Sequence, residues 1–135
     1  MGRAQVILLD THVVVWPAFG QKQISTRARA AIAEARTNAD GLSICDISLL
    51  EFATLASKGR IRLDFTLESF LEEVESGFVV LPIRRRACAR AMGFPASYPK
   101  DPADRRIGAT ALVGGLSFFT ADHAIRRART VQTIW

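Results

Sequence analysis

The sequence has few of the residues from which metal-thiolate, metal-imidazole or disulfide sites are built. Only two cysteines and two histidines occur in 135 residues. Cys45 and Cys88 have no C-x-x-C spacing, and His12 and His123 lie far apart in the chain. We therefore expect neither a zinc site nor a disulfide framework. We interpret the cysteines as buried, reduced thiols and leave both histidines outside any metal site.

The sequence also lacks long apolar runs and several common catalytic motifs. No run approaches the ~20 apolar residues that a membrane span requires, and residues 1–5 have no signal-peptide layout. No membrane association and a cytoplasmic location are therefore expected. The patterns G-x-x-x-x-G-K-[ST], G-x-G-x-x-G and G-x-S-x-G are absent, which excludes the usual nucleotide-binding and serine-hydrolase sites.

Composition and charge indicate one folded domain with a basic carboxyl-terminal part. The chain is 49% hydrophobic and 23% charged, and its length suits a single domain over residues 1–135. Residues 84–135 carry ten Lys or Arg against three acids, a balance of +7, whereas residues 1–83 carry eight against ten, a balance of −2. Such a basic surface favours phosphate backbones, although it also serves solubility.

Strand-like and helix-like segments alternate along the whole chain, which predicts an α/β fold with a mainly parallel central sheet flanked by helices. Residues 38–41 are expected to form a turn. Asp46 or Ser48 is expected to cap the second helix, and Gly59 to end it. The predicted strands are 6–9, 42–45, 78–81, 116–120 and 131–135, and the predicted helices are 25–36, 47–58, 66–76, 84–92 and 102–113.

Two aspartates directly follow predicted strands. Asp10 ends the apolar run Val6 to Leu9, and Asp122 follows the strand over 116–120. In open parallel sheets ligands bind at the carboxyl ends of the strands, so these two carboxylates are candidates for one site. The alternative is that each simply caps the helix after it, which is a frequent role for aspartate.

Glu51 is the only charged residue of ISLLEFATLAS, which predicts a partly buried carboxylate. A buried carboxylate requires a cation, a hydrogen-bond network or a raised pKa. The only acids among residues 76–135 are Asp101, Asp104 and Asp122. In D-P-A-D we interpret Asp101 first as a helix cap and second as a ligand, while Asp104 lies in the first turn of that helix.

Carboxylates at Asp10, Glu51, Asp104 and Asp122 suit Mg²⁺ or Mn²⁺, which prefer oxygen ligands and drive phosphodiester hydrolysis. The segments LLDTHVVVW (8–16), SLLEFATLASKGRI (48–61), DPADRRIGATAL (101–112) and FFTADHAI (118–125), with the final VQTIW, together resemble the VapC-type PIN-domain toxins of VapBC toxin–antitoxin systems. The resemblance implies a PIN-like fold and an acidic quartet at these four positions, with Thr120 and Asp101 in support.

The same resemblance implies an endoribonuclease toxin, a VapB-like antitoxin as partner, and a homodimer. Asp10 and Asp104 would be the principal metal ligands, with Glu51 and Asp122 completing the site partly through water or a second ion. The sequence departs from the family at Arg106 and Gly108, where aliphatic residues are common, and at His123, where arginine is common. Gly108 is expected to weaken its helix by about 1 kcal/mol.

Three alternatives concern the basic residues and the reaction. Solvated helix faces are the ordinary role of arginine clusters, but a backbone-phosphate role in RNA binding is also assigned to Arg84, Arg85, Arg86, Arg105 and Arg126. A non-catalytic nucleic-acid- or partner-binding module with a PIN-like fold is the alternative to an enzyme. An aspartate-based phosphatase or phosphoreceiver is disfavoured, because the D-x-D that phosphatases use is here Asp10-Thr11-His12.

Overall fold

The computed structural model describes residues 6–15, 25–37, 41–60 and 62–135. Within these ranges the five predicted strands and the five predicted helices are present, together with two short helices, Thr11–Val15 and His123–Ala128, that were not predicted. Residues 38–40 of the predicted turn lie outside the described ranges. The strands are β1 (Ile7–Leu9), β2 (Leu42–Cys45), β3 (Val79–Leu81), β4 (Ser117–Phe119) and β5 (Thr133–Ile134). The helices are α1 (Thr11–Val15), α2 (Thr26–Thr37), α3 (Asp46–Ser57), α4 (Leu67–Gly77), α5 (Arg85–Met92), α6 (Pro102–Gly114) and α7 (His123–Ala128).

The five strands form one sheet in the order β3-β2-β1-β4-β5, and every described pairing is parallel. The chain builds outward from β1 through β2 to β3, and then returns to the other side of β1 to add β4 and β5. The direction of winding therefore reverses between β1 and β4. Ligands of open parallel sheets bind beyond the carboxyl ends of the strands at such a reversal, which places the expected site after Leu9 and Phe119.

Both faces of the sheet are covered by apolar side chains. Successive residues of β1 point to opposite faces, so Ile7 and Leu9 pack into one apolar cluster and Leu8 into the other. Leu8 shares its cluster with Tyr98, which is 1% exposed, and Ile7 shares its cluster with the fully buried Phe52. Burial on both faces explains why the strands are short continuous apolar runs. Cys45 at the end of β2 is buried as predicted, whereas the prediction is wrong for Cys88, which is exposed on α5.

The predicted cap of α3 is wrong. Cys45 occupies the cap position, and its side chain makes no capping hydrogen bond. Asp46 Oδ1 instead accepts a hydrogen bond of 3.2 Å from the backbone N–H of Ile83, while Ser48 is buried and bonded to Thr11. Both side chains are therefore occupied by other elements of the fold. As predicted, α3 stops just before Gly59, which has a φ of 72°.

Helix α6 begins and ends as the sequence predicts. Asp101 Oδ1 accepts a hydrogen bond of 2.8 Å from the backbone N–H of Ala103, and Pro102 occupies the first helical position. Gly115 follows the helix in the left-handed region at a φ of 65°. These two ends fix Asp104 in the first turn of α6. None of the helices in the described ranges is long and apolar enough to span a membrane.

Candidate active site

Asp10 lies at the reversal point of the sheet, directly after β1, and is 6% exposed. Its backbone N–H donates to the carbonyl of Phe119 at 2.9 Å, and the Thr120 hydroxyl donates to its Oδ2 at 2.7 Å. Thr120 is fully buried and also accepts a hydrogen bond of 3.1 Å from the Asp122 N–H. The ends of β1 and β4 are thus joined, and Thr120 supports Asp10 by direct contact.

Glu51 reaches the same region from α3. Its carboxylate is half-buried, and Oε1 accepts a hydrogen bond of 2.5 Å from the Thr11 hydroxyl. Thr11 Oγ1 also lies 2.7 Å from Ser48 Oγ, and both hydroxyl residues are fully buried. Burial raises the pKa of Glu51, and Asp10 and Asp101 raise it further, while Thr11 and His12 oppose the rise. Neither Thr11 nor Ser48 was predicted to belong to the site.

Asp104 is half-buried in the first turn of α6. Burial is the largest cause that raises its pKa to about 7, and the negative charges of Asp10, Asp101, Glu51 and Asp122 contribute in the same direction. Burial likewise raises the pKa of Asp10, although the Thr120 hydroxyl opposes the rise. These carboxylates therefore lie close enough to repel one another.

Asp122 and Asp101 both cap helices, which confirms that this alternative applies to them. Asp122 Oδ1 accepts a hydrogen bond of 3.0 Å from the backbone N–H of Ile125, at the start of α7. Asp101 caps α6 as described above. Both carboxylates nevertheless line the same cavity as the other acids, so capping and a place in the site are compatible.

The predicted acids meet in one open cavity of about 350 Å³ at the carboxyl end of the sheet. His12, which the sequence analysis left outside any metal site, also contributes to its wall. The lining residues are Asp10, His12, Val13, Glu51, Asp101, Asp104, Ala121 and Asp122. Five of these eight side chains are carboxylates, which are the ligands that Mg²⁺ and Mn²⁺ prefer.

In the described part of the chain, no three His, Cys, Asp or Glu side chains lie close enough together to hold one ion directly. Mg²⁺ is commonly bound through only one or two carboxylates and retains several waters. The cavity has room for such waters between the acids. The donor set therefore fits a hydrated ion, whereas it does not form a closed, all-protein cage.

A second cavity, of about 320 Å³, adjoins the first: His12 and Glu51 line both, and Thr11 lines the second. Its wall includes two basic residues, Lys58 and Arg106, together with apolar side chains of α3. Neither was among the predicted RNA contacts. Their positions in the sequence could have indicated that they lie near the site. Lys58 follows the helix that carries Glu51, and Arg106 lies two residues after Asp104.

The predicted RNA-contacting arginines are not brought together at the cavity. Arg84, Arg85 and Arg86 are exposed at the start of α5, and Arg126 is half-buried on α7. Arg105 is committed elsewhere, because its guanidinium donates four hydrogen bonds of 2.9–3.1 Å to a single loop. This favours a structural role for Arg105 over contact with RNA. The acceptors are the backbone carbonyls of Phe94, Pro95, Tyr98 and Pro99.

Comparisons with known proteins agree with this architecture. The PIN domain model matches residues 7–131. Ribonuclease VapC22 of Mycobacterium tuberculosis is 35% identical over 131 residues, which cover 96% of this chain and 98% of the relative. The crystal structure of DNA-bound VapBC from Salmonella typhimurium has a TM-score of 0.69 at 19% identity, with 96% of each chain covered. VapBC-1 from nontypeable Haemophilus influenzae has a TM-score of 0.66 at 17% identity, with 95% of this chain and 96% of that chain covered. The resemblance to VapC proteins and the predicted fold are thereby confirmed, and the chain belongs to the PIN-domain family.

Proposed function

We propose that this protein is an endoribonuclease that hydrolyses RNA phosphodiester bonds, and that it is the toxin of a type II toxin–antitoxin system. The observation that carries the proposal is the cavity in which Asp10, Glu51, Asp104 and Asp122 meet at the strand ends. The relative that is 35% identical to this protein is named a ribonuclease, and the match covers nearly the whole length of that relative. Four acids without a nucleophilic serine or cysteine motif suit phosphodiester hydrolysis assisted by a metal ion.

We further propose that the acids hold Mg²⁺ or Mn²⁺. Asp10 and Asp104 are the principal ligands in this proposal, and Glu51 and Asp122 complete the site through water or a second ion. When bound, such an ion lowers the pKa of water and stabilises the leaving oxygen. The raised pKa values of Asp10, Glu51 and Asp104 reflect burial and mutual repulsion, both of which a cation would offset.

The protein's own residues fix the geometry of the site. The Thr120 hydroxyl and the β1 to β4 pairing hold Asp10, while the start of α6 fixes the backbone of Asp104. Lys58 and Arg106 in the adjoining cavity are suited to the RNA backbone, because they carry positive charge next to Glu51. Replacing either by alanine is expected to raise KM and to flatten the salt dependence of RNA binding.

The catalytic proposal is tested with purified protein and a fluorescently labelled RNA. After treatment with a chelator, wild-type protein is expected to cleave only when Mg²⁺ or Mn²⁺ is returned. Asp10→Asn and Asp104→Asn should lose cleavage while keeping the wild-type circular dichroism spectrum. Glu72→Gln, an exposed acid on α4, is the matched control and should cleave normally. Undiminished cleavage by both aspartate variants would refute the proposal, and metal binding without any cleavage would favour a non-catalytic module.

The proposed partners are an RNA substrate, a VapB-like antitoxin and a second copy of this chain. VapBC complexes are among the solved structures that are similar to this fold. Induced expression in bacterial cells is expected to arrest growth, and Asp104→Asn should relieve the arrest at equal protein abundance. Arrest that persists in that variant would separate toxicity from the acidic site. The homodimer and the cytoplasmic location stay predictions from the sequence.

A further inference from the structure

Two buried hydroxyl groups connect the end of β1 to the carboxylate of Glu51. Thr11 Oγ1 lies 2.5 Å from Glu51 Oε1 and 2.7 Å from Ser48 Oγ, and Thr11 and Ser48 are both 0% exposed. A threonine hydroxyl has a single hydrogen, and an ionised carboxylate only accepts. When Glu51 is ionised, Thr11 therefore donates to Glu51, and Ser48 must donate to Thr11.

This direction makes the three residues a relay that ends on one carboxylate oxygen. Ser48 and Glu51 lie three residues apart on α3, so their side chains leave the same face of the helix. Thr11 belongs to α1 and directly follows Asp10. The relay thus ties Glu51 to the backbone segment that carries the central carboxylate of the cavity.

Without the relay, little in the described surroundings would restrain the Glu51 side chain. It is half-buried between two open cavities, of about 350 and 320 Å³, and lines both of them. Glutamate has three rotatable side-chain bonds, and its carboxylate could turn toward either cavity. The Thr11 hydroxyl is fixed by burial and by Ser48. It holds the orientation in which Glu51 lines the acidic cavity together with Asp10 and Asp104.

We propose that Thr11 and Ser48 are positioning residues that aim the Glu51 carboxylate into the acidic cavity, so that it contributes to divalent-cation binding there. The inference rests on the proposed function, because it takes the cavity to be a cation site. Thr120 has the corresponding role toward Asp10, since it donates to Oδ2 at 2.7 Å. Hydrogen bonds that orient a ligand are commonly worth 10- to 100-fold in metal affinity.

The test measures Mn²⁺ affinity by isothermal titration calorimetry without RNA, so that it does not depend on turnover. Thr11→Val keeps the shape of the side chain but removes the hydroxyl, and it is expected to weaken Mn²⁺ binding by about 10-fold or more. Thr11→Ser returns the hydroxyl and should restore most of the affinity.

Ser48→Ala should weaken Mn²⁺ binding by about fivefold, because the relay loses one net hydrogen bond. Thr54→Val is the matched control, since the exposed Thr54 hydroxyl donates within α3 to the carbonyl of Leu50.

A double variant shows whether the effect passes through Glu51. If Thr11 acts by aiming this carboxylate, Thr11→Val should add little weakening once Glu51→Gln is present. If Thr11→Val unfolds more easily than the wild type but binds Mn²⁺ equally well, the positioning role is overturned while the proposed cation site stands. If Thr11→Val does not fold, wild-type Mn²⁺ affinity in Ser48→Ala overturns the positioning role in the same way. Wild-type protein that binds no Mn²⁺ would instead overturn the proposed cation site, and the inference with it.

Discussion

Replacing Gly108 by alanine sets helix propensity directly against packing. Gly108 lies buried in the middle of α6, and a methyl carbon there would overlap the hydroxyl oxygen of Tyr98. The same carbon would lie 2.9 Å from Tyr98 Cζ and 3.2 Å from Phe94 Cε2. Tyr98 has no room to withdraw, because it is 1% exposed, packs edge-on against Phe94, and donates to the carbonyl of Asp104 at 3.2 Å.

The two effects differ in sign, and their magnitudes decide the outcome. Alanine stabilises a helix interior by about 1 kcal/mol relative to glycine. Overpacking a buried site costs about 1–3 kcal/mol, and displacing the Tyr98 hydroxyl costs about 1 kcal/mol more. We expect Gly108→Ala to lower the free energy of unfolding by about 1–3 kcal/mol, and Tm by at least about 3 °C.

Urea and thermal unfolding, followed by circular dichroism, measure this change. Gly77→Ala is the matched control, because Gly77 ends α4 and a methyl carbon there meets no atom within 4 Å. In a Tyr98→Phe background, the cost of Gly108→Ala should fall by about 1 kcal/mol, since the overlapping oxygen is gone. A Gly108→Ala protein more stable than the wild type, as helix propensity by itself would predict, would contradict the overlap with Tyr98 as the deciding effect.

Three further predictions concern side chains around the cavity. Asp122→Asn should keep the cap of α7 and the stability of the protein, whereas Asp122→Ala should lower the free energy of unfolding in urea by about 1 kcal/mol. Both variants should reduce RNA cleavage. Equal stability of the two variants would contradict the capping role. Arg105→Lys should destabilise the protein by about 2–3 kcal/mol, because lysine cannot reproduce the four hydrogen bonds to the 94–99 loop, and a wild-type Tm would contradict this. Because the pKa of Asp104 rises from 3.8 to about 7 on folding, the folded state holds its proton more firmly. The free energy of unfolding of metal-free protein should therefore fall as the pH rises between these two values. Asp104→Asn should flatten this pH dependence, and an unchanged pH dependence in that variant would exclude Asp104 as its cause.

The order of the elements was predictable because its signals are local. The apolar run before Asp10, the D-P-A-D start of α6 and the glycines after the helices each act within a few residues. Parallel pairing followed from the alternation of strands and helices. The strand order then brings Asp10 beside the strand that precedes Asp122, so two carboxylates far apart in sequence share one cavity.

The supporting contacts were not predictable because they depend on which elements meet. Thr11 and Ser48 are ordinary hydroxyl residues in the sequence, and only the packing of α1 against α3 brings Ser48 to the Thr11 hydroxyl and Thr11 to the Glu51 carboxylate. Asp46 had the right position to cap α3, but the Ile83 N–H after β3 engages its carboxylate. Gly108 looked like a weakness in a helix, whereas the fold uses its missing side chain to admit Tyr98.

The acids of the cavity differ in what the scaffold gives them. Asp10 accepts from Thr120, Glu51 accepts from Thr11, and Asp122 accepts from the first turn of α7. These donors are fixed before any ligand arrives, so they orient each carboxylate while favouring its charged form. Asp104 receives no such hydroxyl donor among the described residues, and burial with surrounding negative charge raises its pKa to about 7. The protein's own hydrogen-bond donors thus stabilise three of the carboxylates in the cavity. Asp104 has no such donor in the part of the chain that the structure describes, and it would gain the most from a bound cation.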